Sequence, residues 1–242
     1  MPHQATTAIL VKGQTKTAIS ICPTNLTECH AILAQVTDKL AAIDLIEWRL
    51  DYWQVPRDLL TAAQLIQQIK RPLILTIRTV HDGGQFSGTL LQYQNRYQQL
   101  INAHVGQLLD LEWQLPSDTR QLLGQQAQQA GYQIILSQHD FIATPPTRQL
   151  QTQLATMALE PYVDILKLAT MANCVADTTR LLAVTQDFTQ QSSMPLISMA
   201  MSELGQASRL FGGQFGSCLT FGYLQTPSAP GQLPIELLKN LI

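Results

Sequence analysis

Charge is scarce in this sequence. Asp, Glu, Lys and Arg make up only 13% of the 242 residues, well below the usual quarter, and they nearly balance at a net −2. That excludes a strongly basic face, and no zinc-finger or RNA-binding signature compensates, so nucleic acid is not expected as a partner. Cysteine is equally sparse. Cys22, Cys29, Cys174 and Cys218 form no C-x-x-C pair and no dense framework, which argues for reduced thiols and against both disulfide staples and a cysteine metal site. No apolar stretch reaches about 18 residues, and the first residues lack a basic segment followed by a long apolar one. The expectation is a soluble, unexported, cytoplasmic protein with no membrane partner, no metal and no cofactor. In place of charge the helices use glutamine. There are 31, interleaved with Leu and Ala at helical spacing, as in Gln125-Gln126-Ala127-Gln128-Gln129.

What is present is a regular alternation. Short β-rich runs occur at about Thr17–Ile21, Ile43–Leu50, Pro72–Ile77, Gln107–Leu111, Gln133–Ser137, Tyr162–Leu168, Pro195–Met199 and Gly216–Phe221. A helical pattern follows each. Ile32, Leu33, Val36 and Leu40 share one face, as do Leu150, Leu154 and Met157 after the start signal Thr144-Pro145, and Gly131 stands where a helix would end. Eight β-α units in a chain of this length predict a (β/α)8 TIM barrel. An open doubly wound sheet reads similarly, but no G-x-G-x-x-G follows the first strand, where Cys22-Pro23-Thr24-Asn25 stands instead. No Pro/Gly/Ser-rich linker divides the chain, so residues 1–242 are expected to form a single domain, with a possible N-terminal hairpin through Lys16 closing the barrel floor.

In such a barrel the reactive groups belong at the C-terminal ends of the strands. Polar residues collect there: Ser20, Glu47 with Arg49, Arg78, Asp110 with Glu112, His139, and Lys167 within the apolar run Val163–Ala169. Lys167 is the most telling. An ammonium in such a run loses its water, and burial without a partner favours the neutral, nucleophilic amine. Singly, each of the others reads as an ion pair, a helix cap or a satisfied histidine. Together they are too many for a core, which excludes charge unless the groups meet each other or a polar ligand.

These residues sit within an ordered set of longer segments. It includes Glu47-Trp48-Arg49-Leu50-Asp51, Thr76-Ile77-Arg78-Thr79 followed by Gly83-Gly84, Ser137-Gln138-His139-Asp140-Phe141, and Asp164-Ile165-Leu166-Lys167-Leu168-Ala169. It closes with Gly205-Gln206-Ala207-Ser208-Arg209-Leu210, Gly216-Ser217-Cys218-Leu219-Thr220-Phe221 and Ser228-Ala229-Pro230-Gly231-Gln232. The set resembles the type I 3-dehydroquinate dehydratase family almost end to end. That resemblance implies a Schiff-base lyase of the shikimate pathway, which serves aromatic amino acid biosynthesis and removes water from 3-dehydroquinate by syn elimination, without a cofactor and commonly as a homodimer. It implies that Lys167 forms the imine and that His139 transfers protons. It further implies that Glu47, Arg49, Arg78, Arg209, Ser228 and Gln232, with Ser20, line the substrate site, Arg209 facing the carboxylate. The segment Gly222–Pro234, with three prolines and two glycines, then reads as a lid.

The chain departs from the family pattern at one place. A glutamate-length carboxylate usually precedes Gly83-Gly84 and is directed at the catalytic histidine, and here Asp82 stands there. Two other readings compete with the dehydratase. A class I aldolase would also use a Schiff-base lysine on the sixth strand, but for phosphorylated sugars it needs a phosphate cradle after strands 7 and 8, where this chain has Ser198-Met199-Ala200-Met201-Ser202. A catalytically silent barrel kept as a scaffold would not need both Lys167 and His139.

Overall fold

The computed structural model describes residues 8–242. Eight parallel strands follow one another around a barrel: β1 (Lys16–Ile21), β2 (Leu45–Arg49), β3 (Leu73–Thr76), β4 (Leu108–Glu112), β5 (Gln133–Asp140), β6 (Ile165–Met171), β7 (Leu196–Met201) and β8 (Leu219–Tyr223). β1 pairs with both β2 and β8. Between β7 and β8 the wall is joined by one parallel bridge, Leu196 to Ser217, with the Cys218 amide donating to the Leu196 carbonyl at 2.8 Å. A two-residue ninth strand, β9 (Leu233–Pro234), adds to β8 where the chain returns from the mouth. The fold is the expected TIM-barrel type.

Outside the barrel run α1 (Leu26–Asp38), α2 (Leu59–Gln67), α3 (Leu90–Asn102), α4 (Ser117–Gln129), α5 (Thr147–Met157), α6 (Val175–Gln191), α7 (Gln206–Phe211) and α8 (Ile235–Leu241). Their starts are written locally. Asn25 caps α1 by accepting from the Glu28 amide, and Thr89 and Gln92 form a capping box at α3. Leu150, Leu154 and Met157 are the buried stripe of α5, as their spacing predicts. On α1 the fully buried residues are Cys29 and Val36, while Ile32 and Leu33 pack only partly.

Three strands differ from their predicted extents by three residues at an end, β5, β6 and β8, the last beginning at Leu219 and not at Gly216, and the others by one or two. β6 begins at Ile165 and not at Tyr162, because Asp164 turns to cap the neighbouring strand, its carboxylate accepting from the Ile134 amide at 2.8 Å. β5 runs on to Asp140, since His139 and Asp140 still pair with Ala169 and Thr170 of β6. His139 is therefore held inside a strand, with a rigid neighbour on one side. The expected N-terminal hairpin falls in part on residues 1–7, which lie outside the described residues. Residues 8–15 contain turns and no strand, and Leu10 buries itself among the inward-facing floor residues, with the Ile9 amide donating to Gln133 Oε1 at 2.6 Å.

Strand alternation sorts the side chains. Ile19, Ile46, Leu75, Leu109, Leu136 and Leu166 face the helices in one core. Ala18, Leu45, Ile74, Leu108, Ile135, Ile165, Ile197 and Leu219 face inward and fill the floor in a second. Among the described residues no helix is long and apolar enough to cross a membrane.

Candidate active site

Two residues beyond the floor, on the same face of each strand, the chemistry changes. Ala18 is followed by Ser20, Leu45 by Glu47, Ile74 by Thr76, Leu108 by Asp110, Ile135 by Ser137 and Ile165 by Lys167. Ile197 and Leu219 are followed by Met199 and Phe221. Of this layer, Ser20, Glu47, Lys167, Met199 and Phe221 line a cavity of about 160 Å³ at the C-terminal mouth, while Thr76, Asp110 and Ser137 do not reach it. All ten residues expected at the site line it. Ser20, Glu47, Arg49, Arg78, Asp82 and His139 come from the β1, β2, β3 and β5 side, and Lys167, Arg209, Ser228 and Gln232 from the remainder.

Lys167 is buried, but it is not bare. Its Nζ lies 3.0 Å from Asp110 Oδ2 and 3.3 Å from Glu47 Oε1, and 4.9 Å from the centre of the Phe221 ring. Two carboxylates thus compensate the ammonium for the water it loses in this apolar run. Glu47 also accepts from the hydroxyls of Thr76, at 3.0 Å, and Ser20. Burial would raise its carboxyl, yet Lys167 and Arg49 outweigh burial and hold it low.

Arg78 is the hub of the other half. Its Nη2 donates to Asp110 at 2.8 Å, and its Nη1 donates to Ser137 Oγ at 2.8 Å and Asp82 Oδ2 at 3.0 Å, with Glu112 Oε1 at 3.5 Å. Both terminal nitrogens are thus occupied by protein groups. Asp110, against the effect of its own burial, is held well below the usual carboxylate range by Arg78 and Lys167. Arg49 binds Asp51 in a bidentate pair at 2.7 and 2.8 Å, so its partner is not the same-face Glu47.

His139 Nδ1 lies 2.7 Å from Asp82 Oδ2. The shorter carboxylate reaches it because the loop is tight. Residues Val80–Asp82 form a 3-10 turn ending in Gly83 at φ 77°, and the Gly84 amide folds back onto the Thr79 carbonyl at 2.8 Å. A Cβ at Gly84 would fall 2.1 Å from the Arg78 carbonyl oxygen, so only glycine allows this closure. The imidazole is shifted below its ordinary value, first by burial and then by Arg78, while Asp82 opposes both. Phe141 stacks on it at 6.0 Å between ring centres.

Arg209 differs from every other cation here. It is 2% exposed, Nη2 donates to the Pro230 carbonyl at 3.0 Å, Nη1 reaches only Met199 Sδ at 3.7 Å, and Nε has no partner. Burial alone pushes it down to about 10. The segment reaching it lies over the cavity, where the Ser228 and Ala229 amides and the Ser228 hydroxyl converge on Gln232 Oε1 at 2.7 to 3.3 Å.

Asp110 is the main contributor that sequence reading left out of the site. It does not line the cavity, and its position two residues from Glu112 on a strand signalled a polar face without showing which partners cross to it. Thr76 and Ser137 stand within the motif segments, but as common strand residues neither was singled out for a role.

The whole arrangement has parallels. The chain matches the family description "Type I 3-dehydroquinase" over residues 18–242. It is 55% identical over 230 residues to a 3-dehydroquinate dehydratase of Latilactobacillus sakei, covering 95% of each chain. A type I 3-dehydroquinate dehydratase from Clostridium difficile, solved with covalently modified comenic acid, superposes with a TM-score of 0.88 at 28% identity, over 96% of this chain and 92% of that one. The 3-dehydroquinate dehydratase of Enterococcus faecalis gives 0.84 at 31%, over 96% and 94%. With a matched family over nearly its full length, the chain belongs to the type I 3-dehydroquinase family and is an enzyme of the hydro-lyase class.

Proposed function

We propose that this dehydratase removes water from 3-dehydroquinate to give 3-dehydroshikimate, through an imine on Lys167. The observation that carries the substrate assignment is Arg209, a buried arginine with no carboxylate partner among the described residues, in the same cavity as a buried lysine and a histidine. A buried guanidinium without an anion is costly, and a substrate carboxylate supplies one in a fork that matches it. The ring hydroxyls then face Glu47, Arg49, Ser228 and Gln232, with Ser20 beside them, and Arg78 keeps Asp82 and Asp110 in place.

Lys167 attacks the ketone and the resulting iminium acts as an electron sink for the adjacent carbon. His139, whose Nδ1 is occupied by Asp82, uses its other nitrogen to take the proton as the enamine forms. It returns that proton to the departing β-hydroxyl, so one group on one face serves both steps and the elimination is syn. Hydrolysis of the product imine frees Lys167. The covalently modified acid in the Clostridium difficile relative supports a covalent route. A class I aldolase is displaced as an alternative by the family match. The same reading has the enzyme acting in the shikimate pathway as a cytoplasmic homodimer, and sedimentation at working concentration tests the assembly.

The test of the chemistry is borohydride reduction with 3-dehydroquinate present. It should inactivate the enzyme and add a substrate-derived mass to the peptide containing Lys167, and a label on any other residue would overturn the assignment. His139→Ala should slow turnover by roughly 10² to 10⁴ while still allowing the adduct to form.

A further inference from the structure

Before Lys167 can attack a ketone, its ammonium must give up a proton, and the site offers two carboxylates in contact with it. They are built differently. Asp110 is enclosed by donors: Arg78 Nη2 and Ser137 Oγ reach its Oδ1, Lys167 reaches its Oδ2, and the Ser137 oxygen already accepts from Arg78 Nη1. Arginine has no acceptor to offer a carboxylic acid. A proton on Asp110 would weaken a fully buried ion pair and leave a donor without its anion.

Glu47 is held by hydroxyls. Thr76 Oγ1 donates to the Oε1 that faces Lys167, and Ser20 Oγ donates to Oε2. A hydroxyl both donates and accepts, so either can rotate and receive a hydrogen bond from a protonated Glu47 without loss of contact. Glu47 and Ser20 also line the cavity, and Asp110 does not.

Resting on the imine reading above, we propose that Glu47 is the proton acceptor for Lys167 and then the acid that completes imine formation. The transfer from ammonium to carboxylate leaves a neutral amine and a carboxylic acid. The amine nitrogen forms a bond to the ketone carbon while the carbonyl oxygen takes up the proton lost from nitrogen, giving the carbinolamine. Glu47 then gives its proton to that hydroxyl, the C–O bond breaks, water leaves, and the nitrogen lone pair closes the iminium. Glu47 ends ionised beside a cation, so charge and protons balance and no outside acid is needed.

The experiment isolates imine formation by working in the His139→Ala background, where elimination is slow, with saturating 3-dehydroquinate and rapid borohydride quenching followed by mass mapping of Lys167. Adding Glu47→Gln, which keeps the side chain's shape, should slow adduct formation by about 100-fold at pH 7. The rate should then climb roughly tenfold per pH unit as solvent base replaces the lost carboxylate, whereas the His139→Ala parent stays flat. Ser20→Ala in the same background keeps the carboxylate and removes one accepting hydroxyl, and should slow adduct formation severalfold at saturating substrate. Two outcomes overturn the proposal: a Glu47→Gln rate equal to the parent, or a slowed rate that is the same at every pH, as expected of a residue that only orients the lysine. A change confined to substrate affinity, recovered fully at saturation, overturns it as well. If the parent itself gives no adduct on Lys167, it is the imine reading that fails.

Discussion

The floor and the mouth of this barrel are made by the same strands two residues apart, and they obey opposite rules. On β6 the step from Ile165 to Lys167 goes from a side chain that gains by leaving water to one that must be compensated for leaving it. The floor needs only volume, and any close-packed aliphatic set would serve. The mouth needs particular partners: Asp110 requires Arg78, Asp82 requires both Arg78 and His139, and Lys167 requires Glu47 and Asp110. The rigid apolar floor holds the ions at fixed separations, and the ions tolerate burial because nearly every one is paired. Arg209 is the exception, and on the proposed reading a substrate carboxylate completes the set.

Substitutions along one strand break this comparison most sharply. Lys167→Ala should abolish turnover, measured by absorbance of the conjugated product, and an active variant would rule out the covalent route. Ile165→Ala should cost about 2 to 5 kcal/mol in denaturant unfolding, while each molecule that remains folded keeps close to its normal turnover. If that floor variant lost its activity without losing stability, the two layers would not be separable.

Arg209→Ala should come next, weakening substrate binding by about 2 kcal/mol or more, because a substrate carboxylate would be buried without its partner. Steady-state kinetics should show it mainly as a raised KM, and an unchanged KM would assign the carboxylate to another cation. Asp82→Asn tests the mouth's electrostatics. In the proposed mechanism His139 acts as a base when neutral, so its lowered value should place the acid limb of kcat/KM below the ordinary imidazole range. Asp82 is the group that opposes this lowering, and its removal should move the limb to still lower pH along with a fall in rate. A superimposable profile would reduce Asp82 to a turn residue.

The smallest effect is expected at Glu112, whose carboxyl burial pushes from 4.5 up to about 7, against Arg78 and the Thr79 amide and hydroxyl. Between those two values the unfolded chain has released a proton that the folded chain keeps, so this group makes stability fall as pH rises from 4.5 towards 7. Glu112→Gln should flatten that part of the Tm profile. A steeper decline in the variant would contradict the assignment.

Much of this was readable in one dimension. The run from Ile165 to Lys167 and the pair Glu47 and Arg49 announced a strand with charge at its end, because alternation and composition are local properties. The partners were not readable. Arg49 turns to Asp51 although Glu47 shares its face, and Asp110, spaced like a helix cap, is the nearest anion to Lys167 across the barrel. The start of β6 was placed three residues early for the same reason, since Asp164 is recruited by the amide of a neighbouring strand that lies 30 residues away in the chain.

By itself the sequence determined the eight-fold β-α alternation and the apolar floor, which follow from residue type and spacing, and its ordered motifs carried the family resemblance that implied the ten residues lining the cavity. The tertiary structure decided who neutralises whom. Strand register and the closure permitted by Gly84 bring Asp82 to His139, place Arg78 among four acceptors and leave Arg209 without an anion. The physical reason is that alternation depends on neighbours along the chain, whereas compensation of a buried charge depends on what lies within about 4 Å in space, and that distance is set only when the barrel closes.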